Sequence, residues 1–178
     1  MGPYAGKILR VDLSKDSSET IETSEYADRF LGGRGIATAV YWDEVGPETG
    51  AFDEGNRLIA AVGPLAGVKG IGGSRWGLFA KSPFPVREHF CYGNLGGSFG
   101  AELKFAGYDA LIIQGKADQP SVLSIDDSRI SIHPAGRLWG KSTVETIEGL
   151  KRNSAGNPKV FAIGPAGENR VDFATVFA

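Results

Sequence analysis

The sequence predicts an α+β fold of short strands and short helices, arranged as two related β-sheet halves of which the second is cut short. Two observations predict the class. Strand-like runs come in pairs joined by polar turns, 6–13 with 19–22 and 122–125 with 130–133. The helical stretches between them follow no regular strand–helix–strand rhythm, which argues against a doubly wound sheet. A third observation, an internal echo, suggests the two halves. Ala60-Ala61-Val62-Gly63-Pro64-Leu65-Ala66-Gly67 is answered by Phe161-Ala162-Ile163-Gly164-Pro165-Ala166-Gly167, each read as a strand running into Gly-Pro and a small-residue turn.

Taken in order, Gly6 to Leu13 alternates as a strand, Ser14 to Ser17 turns it, and Glu19 to Glu22 returns. Ser24 is placed to cap a short helix bearing Tyr26, Ala27, Phe30 and Leu31, stopped by Gly32-Gly33-Arg34-Gly35. A second helix runs from Ile36 to Val45 and closes at Gly46-Pro47. Arg57 to Val62 and Trp76 to Ala80 are strands, and Phe90 to Tyr92 is a third. Ser98 to Ala106 is an amphipathic helix, Ala110 to Gln114 a buried strand, and 122–125 with 130–133 a hairpin. Ser142-Thr143-Val144-Glu145 is a capping box opening a helix to about Arg152. Lys159 to Ile163 reads as a last strand.

Composition sets bounds. Glycine supplies 26 of 178 residues, about twice the usual ~7%. The glycines cluster, which points to loops built around a ligand. Net charge is −2, so no global attraction to nucleic acid or membrane is expected. No apolar run approaches membrane-spanning length and no signal peptide is visible, so a cytoplasmic location is expected. One cysteine, Cys91, excludes an internal disulfide and an all-cysteine cluster within the chain, so no [4Fe–4S] cluster is expected here.

The organising stretch is Gly93 to Asp109, a glycine-rich loop running into a helix. Bare backbone followed by free helix N–H groups suits phosphate. A second loop, Gly67 to Arg75, adds Lys69 and Arg75. The two are expected to lie side by side as one phosphate-binding surface with Asn94 at its focus.

These residues carry a family resemblance. Arg10-Val11-Asp12-Leu13-Ser14, Leu31-Gly32-Gly33-Arg34-Gly35, Ala61-Val62-Gly63-Pro64-Leu65, Gly72-Gly73-Ser74-Arg75, Lys81-Ser82-Pro83, the run Gly96 to Asp109, Trp139-Gly140 and Ile163 to Asn169 resemble the N-terminal domain of the aldehyde ferredoxin oxidoreductases, nearly end to end. The resemblance implies a tungsten (or molybdenum) ion held by two pterins, oxidation of aldehydes to carboxylic acids, and electron transfer through a [4Fe–4S] cluster to ferredoxin. It implies that residues 1–178 form the pterin-binding base, incomplete at the C-terminal end, with the cluster and the acid/base groups in later helical domains. By resemblance Arg75 meets a pterin phosphate, and Asn94 offers its backbone carbonyl to a Mg²⁺ bridging the two phosphates. Gly96 contacts the pterin, and Leu95 and Gly97 complete the cofactor-binding stretch. A homodimer is compatible with this reading, and no catalytic residue is assigned within the chain.

Blander readings stand beside these. Arg75 can also be read as a surface arginine and Asn94 as a turn residue, but ligand contact is preferred for both; for Gly32 to Gly35 the preferred reading is a helix stop alone. Lys69 is as readily solvated as bound, Cys91 is a small core residue, and His89 and His133 are surface residues. Glu102 and Lys104 make structural pairs. The first reading is a piece of a larger enzyme, expected to be inactive alone; the alternatives are a stand-alone metallopterin carrier and, third, an interaction domain.

Overall fold

A computed structural model describes residues 2–84 and 86–178. Eight strands are present among them: β1 (Lys7–Asp12), β2 (Ser17–Glu22), β3 (Leu58–Val62), β4 (Trp76–Ser82), β5 (His89–Leu95), β6 (Tyr108–Gln114), β7 (Ser121–Asp126) and β8 (Arg129–Pro134). The helices are α1 (Ser24–Phe30), α2 (Arg34–Glu44), α3 (Phe99–Phe105), α4 (Thr143–Asn153) and α5 (Pro165–Glu168), with one 3₁₀ turn at Gly136–Leu138. Six strands form a mixed sheet in the order β2-β1-β6-β3-β4-β5, and β7-β8 form a separate hairpin. The β1–β6 pair is parallel and the others are antiparallel. The fold is α+β, as the sequence predicts.

Both faces of the sheet are covered, so the central strands are apolar on both sides. One face carries Ile8, Ile59, Ala61, Phe79, Ala110 and Ile112 against Ile36, Ala37 and Val40 of α2. The other carries Leu9, Val11, Ala60, Val62, Trp76 and Leu111 against Leu103 of α3, with Leu123, Ile125, Ile130 and Ile132 of the hairpin behind it. Each fully buried Ile, Leu or Val side chain among them contributes roughly 1.5–3 kcal/mol. Tyr108 ties the layers together, its hydroxyl donating to the carbonyl of Asp127 in the hairpin turn at 3.0 Å.

Several elements differ from expectation. Thr23, not Ser24, is the N-cap of α1, and its hydroxyl donates to buried Asp109 at 2.8 Å instead of capping the helix. The Gly32–Gly35 cluster does more than stop α1. Gly33, at φ +50°, is the N-cap of α2, which begins at Arg34. Gly35 lies inside α2, and glycine is required there because the carbonyl oxygen of Phe30 would stand 2.1 Å from a Cβ. β5 extends through Gly93, Asn94 and Leu95, which the sequence assigns to a loop, because cross-strand pairing with β4 overrides their glycine-rich character.

Lys159 to Ile163 is not a strand. Its backbone finds one bridge, Ala162 with Phe177, and Phe161 turns to pack on Trp76 and Phe99. A single bridge is too little ladder to hold a strand. The echo is therefore local: the first copy is strand β3, whereas the second leads into the four-residue helix α5. The capping box forms as read, Ser142 Oγ accepting from the Glu145 N–H and the Glu145 carboxylate accepting from the Ser142 N–H. His89 and His133 are exposed, and Cys91 is half-buried on the edge strand, not in the core.

Candidate functional site

The register gathers the candidate residues at one end of the sheet. Val62 pairs with Trp76, and Trp76 with Leu95, so the ends of β3, β4 and β5 lie in one row. Arg75 immediately precedes Trp76, and Asn94 is paired with Gly77. With a rise of about 3.3 Å per residue and about 5 Å between paired residues, the Cα atoms of Arg75 and Asn94 are roughly 8 Å apart. The two glycine loops thus lie side by side, as the sequence predicts. Gly96 and Gly97 follow Leu95 directly. β5 is the edge of the sheet, so alternate backbone N–H and C=O groups along it face outward.

The loops are held from within. Trp76 donates its indole N–H to the carbonyl of Gly96 at 3.0 Å, and its ring packs on Phe99 (4.7 Å between centroids). Gly73 is required because a Cβ there would meet the carbonyl oxygen of Leu65 at 2.3 Å. Lys104 Nζ donates to the carbonyls of Pro64 (2.6 Å), Gly63 (3.2 Å) and Pro3 (2.6 Å), fixing the first turn of the Gly63–Arg75 segment. Its carboxylate partner is Asp109, at 3.6 Å, and not its helix neighbour Glu102. Burial lowers the Lys104 pKa, with Asp109 opposing that shift. Asp109 itself accepts from the N–H groups of Ala5 (3.0 Å) and Gly6 (2.9 Å) as well as from Thr23.

Other glycines at this end are not explained by internal packing. A Cβ built on Gly72, Gly93, Gly96 or Gly97 meets nothing within 4 Å. Arg75, Lys69 and Asn94 are exposed, and the ion pairs among the described residues involve neither Arg75 nor Arg34. The end of the sheet therefore presents bare backbone and uncommitted cationic donors, a surface suited to a phosphate-bearing ligand that makes close backbone contact. Among the described residues no group of three or more His, Cys, Asp or Glu is placed to hold a metal ion, so a metal held here would need donors other than such a cluster.

In the sequence, Arg34 is read only as part of the Gly32–Gly35 stretch and is not paired with Tyr92. The Arg34 guanidinium carbon lies 3.8 Å from the centroid of the Tyr92 ring, and Tyr92 is two residues from Asn94 on β5. The signal was available: an arginine between glycines at a helix start, and an aromatic residue two positions before the asparagine.

The sequence matches the family described as "Aldehyde ferredoxin oxidoreductase, N-terminal domain" over residues 8–178. The chain belongs to this family. Within it, the chain is 43% identical to the tungsten-containing aldehyde ferredoxin oxidoreductase of Pyrococcus abyssi over 175 residues, which are 97% of this chain and 28% of that protein. It is 35% identical to the aliphatic sulfonate oxidoreductase, WOR-like subunit, of Pyrococcus furiosus, covering 99% of this chain and 30% of that one. Among solved structures it is similar to the active site complex BamBC of benzoyl coenzyme A reductase in complex with 1,5-dienoyl-CoA. There the TM-score is 0.92 at 36% identity, over 99% of this chain and 27% of that one. The chain corresponds to the N-terminal domain of an oxidoreductase family and spans about 28% of the length of the tungsten-containing relatives it matches. No helix among the described residues is long and apolar enough to cross a membrane.

Proposed function

We propose that residues 1–178 act as one unit, the cofactor-binding base of a tungsten (or molybdenum) bis-pterin aldehyde oxidoreductase working in the cytoplasm. The observation that carries the reading is the set of open glycines beside Arg75 and Asn94. The backbone at Gly72, Gly93 and Gly96 is bare where neither packing nor a positive φ requires it, whereas Gly97 is also demanded by its φ of +75°. A flat pterin with a phosphate arm fits such a surface.

In this reading Arg75 holds a pterin phosphate through charge-assisted hydrogen bonds. Asn94, on the outermost strand, would hold a Mg²⁺ through its backbone carbonyl, where the ion would offset phosphate charge. Leu95, Gly96 and Gly97 let the pterin approach the backbone, and the Trp76–Gly96 bond keeps that turn from collapsing into the space. Bound there, tungstopterin supplies the two-electron oxidation of an aldehyde to a carboxylic acid, with ferredoxin as acceptor through a [4Fe–4S] cluster in the longer enzyme's helical domains. The aldehyde assignment follows the relatives at 38–43% identity, all tungsten-containing aldehyde ferredoxin oxidoreductases.

The test is to purify the intact protein from tungstate-grown cells and measure tungsten and pterin per chain, the pterin after oxidation to its fluorescent form. Wild type should carry both, and Arg75→Gln should lose most of them while keeping its fold. A wild-type protein free of metal and pterin after growth with tungstate and anaerobic purification would overturn the reading.

A further inference from the structure

On one face of the sheet, under α2, runs a ladder of rings. Tyr41 packs on Phe90 (4.6 Å between centroids), Phe90 on Phe79 (6.1 Å) and Phe79 on Tyr92 (6.0 Å). The guanidinium of Arg34 caps the ladder, 3.8 Å from the Tyr92 centroid. Arg34 reaches this position because the N–H of Gly33 donates to the carbonyl of Val62 at 3.0 Å, locking the start of α2 to the end of β3. That is the row Val62–Trp76–Leu95 from which Arg75 and Gly96 project. Strand alternation puts Tyr92 and Asn94 on the same face of β5. Asn94 therefore lies between the guanidinium-bearing segments, Arg34 over its i−2 neighbour and Arg75 two residues from its cross-strand partner.

A guanidinium stacked on a ring uses its face for the ring and leaves its five N–H donors, which lie in its plane, for another partner. Arg34 makes no ion pair among the described residues. We propose that Arg34 is a second anion-binding guanidinium of this site, opposing Arg75 across Asn94 and oriented toward a diphosphate by its stack on Tyr92. The inference rests on the cofactor-base reading and adds to it a residue and a partner ring.

The probe is inorganic pyrophosphate titrated into the chain, followed by amide shifts of the Gly72–Arg75 and Asn94–Gly97 segments. Wild type should bind. Arg34→Gln should weaken binding about tenfold, as loss of a charge-assisted contact implies. Arg34→Lys should recover less than half of that, because an ammonium neither stacks nor forks in the same way. Tyr92→Leu, which keeps the charge and removes the platform, should weaken binding about threefold. Amides elsewhere should be unmoved in every variant, which separates loss of a contact from loss of fold. If Arg75→Gln weakens binding and Arg34→Gln does not, Arg34 is outside the site and the inference fails while the cofactor-base reading stands. If wild type shows no saturable shift in the two segments, the phosphate surface itself is wrong and both fall.

Discussion

The indole N–H of Trp76 donates to the carbonyl of Gly96, and this bond ties the glycine turn of the candidate site to the sheet core. Trp76 is 2% exposed, so the donor is shielded from water although Gly96 itself is exposed. A neutral hydrogen bond of this kind contributes about 1 kcal/mol. Trp76→Phe also removes buried ring volume packed on Phe99 and Phe161, so a total loss of about 2–3 kcal/mol is expected, roughly 4–12 °C in Tm at about 2–4 °C per kcal/mol. Hydrogen exchange at Gly96 and Gly97 should rise several-fold while the β1 and β6 amides stay protected. Unchanged exchange at the turn would show that something other than Trp76 holds it.

Asp109 is the other fixed point. It is 2% exposed and accepts three hydrogen bonds, with Lys104 at 3.6 Å. Asp109→Asn removes the charge facing Lys104 and one acceptor oxygen. Breaking a buried pair on one side costs about 3–5 kcal/mol. Since the Lys104 side chain keeps 11% of its exposure, a loss toward the lower figure is expected in urea unfolding. Lys104→Met in the Asp109→Asn background should cost less than the two single changes added together. Strict additivity would mean that the two groups act independently.

How far the sequence reveals these features depends on the range of the interaction. Local chemistry is legible: the Ser142 capping box and the hairpin across Asp126–Arg129 form as read, because each is decided within a few residues. The nearness of Arg75 and Asn94 is legible because both loops flank strands that pair with each other. Asp109 is not legible as a clamp, since its partners lie 103, 104 and 86 residues away. Arg34 is hidden for the same reason. Its helix start is positioned by Val62 and its ring by β5, so the glycine-flanked arginine and the aromatic residue are each visible in the sequence but their pairing is not. Lys159 to Ile163 has strand-forming residues but only one backbone bridge, and propensity without a ladder makes no strand.

A pH dependence follows from Glu44, which accepts from Arg10 and from Arg57 (2.8 Å). Burial pushes its pKa up, but the hydrogen bonds and charges of the two arginines outweigh this and hold it below the ordinary 4.5. A folded pKa below the unfolded value means that stability is present above about pH 4.5 and is lost as pH falls through the folded pKa. Glu44→Gln should be less stable at neutral pH and should show a flatter fall in Tm from about pH 5 to pH 3. Asp12, whose pKa is lowered mainly by the hydrogen bond from Gln114, leaves a residual slope. Parallel curves for the two proteins would place the acid sensitivity elsewhere.

Two glycines in the same stretch should respond oppositely to one added methyl group. At Gly100 a Cβ would stand 2.7 Å from the Cβ of Trp76 and 3.0 Å from Cγ1 of Val62, both fixed in the core. Gly100→Ala should therefore push α3 off the sheet and cost about 1–3 kcal/mol, as overpacking does. At Gly96 a Cβ meets nothing within 4 Å, and its φ is not among the positive ones. Gly96→Ala should leave stability within about 0.5 kcal/mol of wild type. If the cofactor lies against this backbone, the same methyl group fills its space, and the intact protein should retain several-fold less pterin and tungsten. Measured together, melting curves and cofactor content separate a glycine kept for packing from one kept for a ligand. A Gly96→Ala protein with wild-type cofactor content would remove Gly96 from the contact surface.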